Sequence, residues 1–245
     1  MSLDPAKLHD YSALSVIRVT REQNEEYNKY KLLSLERQRR QPYDVTAAWF
    51  VKAFRNPIWH NDVTFKPIPL IDVGGVGEPT ADIIKKLGVR VRGVRYTGGD
   101  GFKIDGLNVS VSKVLMVSTF LGIVDGGRFT MPPKSSFESL FKAELRVFRG
   151  ELGNLGRIRF EAEEGKNDDL VMSVCQSCYI GEQFVKPRKP FKVPPVASYQ
   201  VGGDDPGGAV GDLMRSPWGQ SLNGGTDPVS QRRLDEEARR ARERM

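Results

Sequence analysis

Histidine and cysteine are scarce in this sequence. Its 245 residues include two histidines, His9 and His60, too few for a histidine-rich metal site or a relay of several imidazoles. The two cysteines, Cys175 and Cys178, rule out a disulfide-built scaffold and suit a reducing compartment. No apolar run approaches the ~18 residues that a spanning helix needs, and the N-terminus lacks the basic-then-apolar order of a secretory signal. A non-secreted protein without a membrane segment is therefore expected. A strong excess of one charge is missing too: 37 Lys and Arg against 31 Asp and Glu leave +6, a mild surplus for a polyanion-binding chain. Carboxylates, by contrast, are plentiful, and polar chemistry is expected to rest on them. Hydrophobic residues at 39% suffice for a core.

Composition changes near residue 185. From there to the C-terminus the chain holds 7 Pro and 8 Gly in 61 residues, and its segments KPRKPFKVPP, VGGDDPGGAVG and SLNGGTDP carry no period of 2 or 3.6. Residues 185–245 are read as a disordered tail ending in the charged segment SQRRLDEEARRARERM, and residues 1–184 as one domain.

Within that domain, SALSVIRV and NKYKLLSLERQ read as strands joined by a turn over residues 24–28. YDVTAAWFVKAFRNP reads as a helix capped by Asp44. KPIPLIDV is a short buried strand that runs into the helix of GGVGEPTADIIKKLG, with Pro79 in its first turn and Gly88 at its C-terminal end. VRVRGVRY is a strand, YTGGDGFKIDGLN a long glycine-bearing loop, and SVSKVLMVSTFLGIV a helix. GRFTMP is a short strand, SSFESLFKAELRVFRG a helix with a Ser cap, RIRFEAEEG a strand, and NDDLVMSVCQSCYIGEQF a closing helix capped by Asn167. Antiparallel strands followed by β-α alternation predict an α/β fold with a mixed sheet and helices on both faces.

Three places put aspartate where a strand ends or a helix begins: Asp4, with Asp10 close behind; Asp72 in PLIDVGGVG; and the pair Asp168 and Asp169. Carboxylates sharing a site repel one another unless a cation sits between them. An all-oxygen set with few histidines favours Mg²⁺ or Mn²⁺ over zinc. Each aspartate alone is more often an ordinary turn former or helix cap than a ligand. GGVGEPT lacks the Lys-Ser/Thr ending of a nucleotide loop, and the thiols of CQSC read as two buried core residues rather than zinc ligands.

The ordered motifs LDPAKLHDYSAL, LIDVGGVGEPTADIIKKLG, VSKVLMVSTF, FKAELRVF and FEAEEGKNDDLVMSVCQSC resemble the C-terminal nuclease domain of the large terminase subunit of tailed bacteriophages, over residues 2–179. EGKNDDLVMSVCQS is the most specific piece. It is similar to the family's G-K-H-D-D-L-V-x-A-L-A helix, with Asn167 where histidine is common. The resemblance implies a ribonuclease H-like mixed sheet flanked by helices on both faces, with acidic residues gathered at one edge. The ligands it implies for two Mg²⁺ or Mn²⁺ ions are Asp4, Asp72 and Asp169 or Asp168, the last two not separated, with Asp10 as a possible extra ligand. The implied activity is metal-dependent endonucleolytic cutting of concatemeric viral DNA during packaging, with little sequence preference, in the cytoplasm of an infected bacterial host.

Double-stranded DNA is then the substrate, and Lys113, Lys166, Arg92 and Lys103, with Arg90 and Arg95, are candidates for its phosphates. Large terminases also carry an ATPase motor. No Walker-type motif occurs here, so the chain is expected to be an isolated domain or a split gene product that works with that motor, a portal and a small subunit. Two other readings stay open. One is another ribonuclease H-like nuclease, such as a Holliday-junction resolvase or transposase relative. The other is a DNA-binding or assembly module that does not cut.

Overall fold

Strand β1 (Ser2–Asp4) is only three residues long, yet it lies inside the sheet with a partner on each side. Its neighbours are the antiparallel β2 (Tyr11–Thr20) and the parallel β4 (Leu70–Asp72). Beyond β2 come the antiparallel β3 (Lys29–Arg39) and a short parallel β8 (Phe129–Thr130). Beyond β4 run the parallel β5 (Arg92–Thr97) and β7 (Asn108–Ser112), and the sheet ends in the antiparallel β6 (Phe102–Asp105). The strand order is therefore β6-β7-β5-β4-β1-β2-β3-β8, and β9 (Phe148–Leu152) pairs separately with β10 (Ile158–Ala162). This computed structural model describes residues 1–6, 10–21, 26–60, 67–98, 101–132, 135–152, 158–162 and 167–185.

Side-chain alternation assigns the strands to two cores. Leu3, Leu14, Val16 and Ile71 point to one face, where they meet Ala47, Phe50 and Val51 of α1 (Tyr43–Phe54) and Ala81 and Ile84 of α2 (Gly77–Lys86). Ala13, Leu70 and Val94 point to the other face. There they pack with Met116, Val117 and Phe120 of α3 (Lys113–Asp125), Phe141 and Leu145 of α4 (Glu138–Val147), and Leu170, Val174 and Cys178 of α5 (Asp169–Phe184). Helices cover both faces of the mixed sheet, the α/β architecture expected of the chain. Since successive residues of a strand alternate, Asp4 and Asp72 share the face of Leu70 and lie under α5. Among the described residues, no helix is long and apolar enough to cross a membrane.

One irregularity moves two arginines. The β2–β3 register shifts between Val16 and Ile17, leaving Leu33 as the extra residue of a bulge. Tyr30 and Leu32 before it, and Leu35 after it, all face the α5 side. Arg37 lies opposite Ala13 and follows Leu35 onto that face, as does Arg39. Without the bulge these two arginines would point towards α1.

Several local expectations differ from what is observed. The glycine-bearing stretch after Tyr96 is no simple loop, because it carries β6 and the start of β7, joined by the two-residue turn Gly106-Leu107 with Gly106 at φ +58. The FRG that follows α4 belongs to β9 rather than to the helix. The expected caps Asp44, Ser and Asn167 are replaced at the cap positions by Pro42, Phe137 and Asp168, none with a side-chain cap bond. Gly88 does follow α2, at φ +83, and Cys175 and Cys178 are buried free thiols. The turn read at residues 24–28 falls partly outside the described residues, and so does the tail beyond Val185.

Helix α5 approaches β3 at Gly181, where a Cβ would stand 2.7 Å from the ring of Tyr30 and 3.1 Å from Val19. Tyr30 is fully buried, and its hydroxyl donates to Glu182 at 2.7 Å, so the ring has no room to retreat. Alanine's helical preference returns about 1 kcal/mol, whereas forced overpacking costs about 1–3 kcal/mol. Gly181→Ala is therefore expected to destabilise the fold by up to about 2 kcal/mol, read as a lower urea midpoint at unchanged m-value. A midpoint equal to or above wild type would show that the helix-strand approach is looser than described.

Candidate active site

The C-terminal ends of the parallel strands β1 and β4 bring two carboxylates together. Leu3 lies opposite Ile71, so Asp4 and Asp72 are the next residues along neighbouring strands, on the same face. Across the sheet, Asp72 is opposite Val94, Asp4 opposite Ala13, and Ala13 opposite Arg37. The small Ala13 leaves space between Asp4 and the arginine. Helix α5 runs antiparallel to β1 over this row, tied to β2 where the Ser15 hydroxyl donates to the Ser173 carbonyl at 2.9 Å and meets the Ser177 hydroxyl at 3.2 Å. Its first turn, with Asp168 and Asp169, therefore ends over Asp4 and Asp72.

Glycines after Asp72 give it its conformation. The Gly74 amide donates to Asp72 Oδ1 at 2.7 Å, and a Cβ at Gly74 would press to 3.0 Å on that oxygen. Gly75 takes φ +52, and a side chain at Gly77 would run into the Asp72 carbonyl. The D-V-G-G-V-G turn thus folds its backbone back against the strand end and holds the aspartate at the head of α2.

Electrostatics show how closely the acids are grouped. Burial raises Asp4 well above the usual carboxylate range, the charges of Asp72, Asp169 and Asp168 raise it further, and Lys113 opposes them. Burial pushes Asp72 up to about 6, against the pull of the Gly74 amide, Lys113 and Arg95. Burial also pushes Asp169 up to about 7, helped by Asp168 and Asp10 and opposed by Arg37. Asp10 itself is exposed at the rim. Asp169 Oδ2 is buried without a hydrogen-bond partner among the described residues. Asp168 does not cap its helix; it accepts from Lys113 Nζ at 3.3 Å. Tyr96 stands by the group as well, its hydroxyl donating to Gln176 at 2.9 Å and held protonated by burial and by Asp72 and Asp4.

Divalent cations such as Mg²⁺ and Mn²⁺ suit this donor set, which is all oxygen, largely buried and partly unsatisfied at Asp169. The acids repel one another, which opposes close approach. Among the described residues, no three His, Cys, Asp or Glu side chains are grouped tightly enough to hold an ion as they stand.

The sequence-derived candidates divide clearly. Asp4, Asp72, Asp168, Asp169, Asp10 and Lys113 are brought into one electrostatic neighbourhood, with Lys113 inside it. Lys103 is exposed on the edge strand β6. Arg95 is exposed and pairs with Glu78 at 3.3 Å. Arg92 is not brought to the site: its guanidinium stacks 4.3 Å over Phe184, the last residue of α5 and the far end of that helix. Lys166 lies outside the described residues. His60 accompanies the Phe54 carbonyl at 2.7 Å, away from the acids.

Three neighbours of the site were missed in the sequence. Glu144 could have been noticed as a carboxylate on the apolar stripe of its helix, between Phe141 and Leu145. Arg37 could not, because the bulge decides its face. Tyr96 carried only the parity of its strand.

No family model matches the sequence, and no curated protein does. The fold is similar to solved structures of the large terminase nuclease from thermophilic phage G20c. The form described with bound magnesium is 18% identical, with TM-score 0.48, covering 72% of this chain and 77% of that one. The form described with bound cobalt is 17% identical, with TM-score 0.45, covering 71% and 77%. A third structure of the same nuclease is 19% identical, with TM-score 0.46, covering 74% and 79%.

Asp169 gives a pH signature. Its folded-state carboxyl titrates at about 7 against an ordinary 3.8, so the folded chain holds the proton more tightly than the unfolded chain. Its contribution to stability is intact below about pH 4 and declines as pH rises towards 7. Asp169→Asn removes that decline. Thermal unfolding in EDTA is expected to show the variant gaining on wild type between pH 4 and pH 8. A difference in Tm that stays constant across that range would show that Asp169 is not held in a proton-retaining environment.

Proposed function

We propose that this chain is a metal-dependent endonuclease that cuts concatemeric double-stranded viral DNA during genome packaging, with little sequence preference. The observation carrying this reading is the convergence of Asp4, Asp72, Asp168 and Asp169, from three distant segments, at one end of a ribonuclease H-like sheet. Bringing like charges together under a helix weakens the fold, and a cation-binding role explains why the arrangement is kept.

Asp4, Asp72, Asp168 and Asp169 would hold two Mg²⁺ or Mn²⁺ ions, which would supply an activated water and neutralise charge on the phosphate and the leaving 3′-oxygen. Asp4 and Asp72 present their carboxylates from rigid strand ends, and Asp169 offers an oxygen with no other partner. The N-terminus of α5 adds its partial positive charge, which favours anionic groups at this point. Asp10, on the rim, is a further oxygen donor. Lys113 balances Asp168 and places an ammonium beside the scissile phosphate, where positive charge stabilises the transition state. Lys103, on the exposed edge strand, and Lys166, next to the acidic pair, add contacts to the DNA backbone, which carry affinity rather than sequence preference. No side chain need act as a histidine base, in keeping with the commitment of His60 elsewhere. An ATPase motor, a portal and a small terminase subunit are the partners this activity calls for.

Supercoiled plasmid incubated with the protein tests the reading. Conversion to open circles is expected with Mn²⁺ or Mg²⁺ and not with EDTA. Asp72→Asn is expected to lower the rate by on the order of 100-fold or more, beyond the 10–100-fold typical of an outer-shell partner. Absence of metal-dependent nicking, or nicking that survives the Asp72 change, would sink the assignment. Cleavage confined to branched DNA would point to a resolvase-like enzyme instead.

A further inference from the structure

We propose that Glu144 is a positioning residue for the acidic site, capping α5 from another helix so that neither aspartate at the head of α5 is consumed as a cap. The proposal rests on the nuclease reading above for what the aspartates are then free to bind.

A helix leaves its first amides without intrahelical partners, and the side chain at the cap position ordinarily accepts from the second or third of them. In α5 the cap position is Asp168 and the second helical residue is Leu170. An aspartate is among the best residues for that task, yet Asp168 makes no cap bond and turns to Lys113 at 3.3 Å. Its place is taken by Glu144 Oε2, which accepts from the Leu170 amide at 2.9 Å across 26 residues of chain. Glu144 is itself 5% exposed, and its other oxygen is held by Arg37 at 3.1 Å. Arg37 is in turn fixed by stacking 4.1 Å over the ring of Tyr11. The carboxylate is thus gripped on both oxygens and cannot swing away.

The arrangement divides labour among three carboxylates. Glu144 satisfies the helix end, Asp168 pairs with Lys113, and Asp169 Oδ2 is left buried without a protein donor. Had Asp168 capped α5 itself, its carboxylate would be divided between the helix amide and Lys113. Outer-shell groups that orient ligands in this way typically tune metal affinity by 10–100-fold.

Glu144→Met removes the acceptor at similar volume, and Glu144→Gln restores an oxygen that accepts from an amide. In wild type, hydrogen exchange at the Leu170 amide is expected to be protected. The Met variant is expected to lose that protection and to bind Mn²⁺ about 10–100-fold more weakly by calorimetry. Gln is expected to recover both, and thermal unfolding checks that each variant is folded. An unprotected Leu170 amide in wild type, a measurement that needs no variant, would overturn the cap. So would a folded Met variant with unchanged exchange. A Met variant that loses protection but binds Mn²⁺ as wild type does, or a Gln variant that fails to recover binding, would overturn the positioning role. Wild type that binds no Mn²⁺ while Leu170 is protected would overturn the nuclease reading and the positioning role with it, leaving a purely structural cap.

Discussion

The carboxylates of Asp4 and Asp72 stand on adjacent parallel strands, and the head of α5 adds two more above them. Their mutual repulsion and loss of solvation are what the surrounding structure has to offset. β1 has three residues, too few to hold a charged group by length, and is instead paired on both sides. Positive charge is supplied piecemeal: the end of α5, Lys113 beside Asp168, Arg37 near Asp169, and Arg95 acting on Asp72. None of these makes a direct ion pair with Asp4, the most enclosed of the acids. The raised proton affinity of Asp4, Asp72 and Asp169 measures how incomplete this compensation is, and an incomplete compensation is what a cation-binding site requires.

Rigidity comes from apolar packing on either side of the acids. One core, between the sheet and α1 and α2, anchors β1 and β4 from below through Leu3 and Ile71. The other anchors α5 from above through Leu170, Val174 and Cys178. Asp4 follows Leu3, Asp72 follows Ile71, and Asp169 precedes Leu170. Each acidic residue is one position from a fully buried aliphatic residue, so the carboxylates inherit the placement of the core.

Much of this was legible in the sequence, and the reasons for the rest are physical. Asp72 was readable because its glycine turn has a steric cause that survives in any context. The mixed sheet was readable because β-branched runs and helical periods report burial directly. The β6–β7 hairpin was passed over although FKID and NVSVS alternate apolar with polar residues, since β6 has only four residues, all exposed, and the glycines around it read as loop. The caps were misplaced for a different reason: the acceptor at the head of α5 comes from α4, and sequence proximity cannot reveal an acceptor 26 residues away. Arg37 illustrates the same limit, because a single bulged residue reverses the face on which an arginine lies. The ligand roles proposed for the aspartates came from the order of motifs rather than from any one of them.

The bulge at Leu33 lies between two ties from one strand to one helix. β3 touches α5 at two points: Tyr30 donates to Glu182 near one end, and Arg37 reaches Leu170 through Glu144 at the other. From Leu170 to Glu182 the helix rises roughly 18 Å. From Tyr30 to Arg37 a regular strand would extend about 23 Å, and one bulged residue shortens that to about 20 Å. The extra residue thus leaves the two spans within about 2 Å of each other while it turns Arg37 to the α5 side. With a tie near each end, α5 lies along β3 for most of its length, and its acidic head is kept over the strand ends.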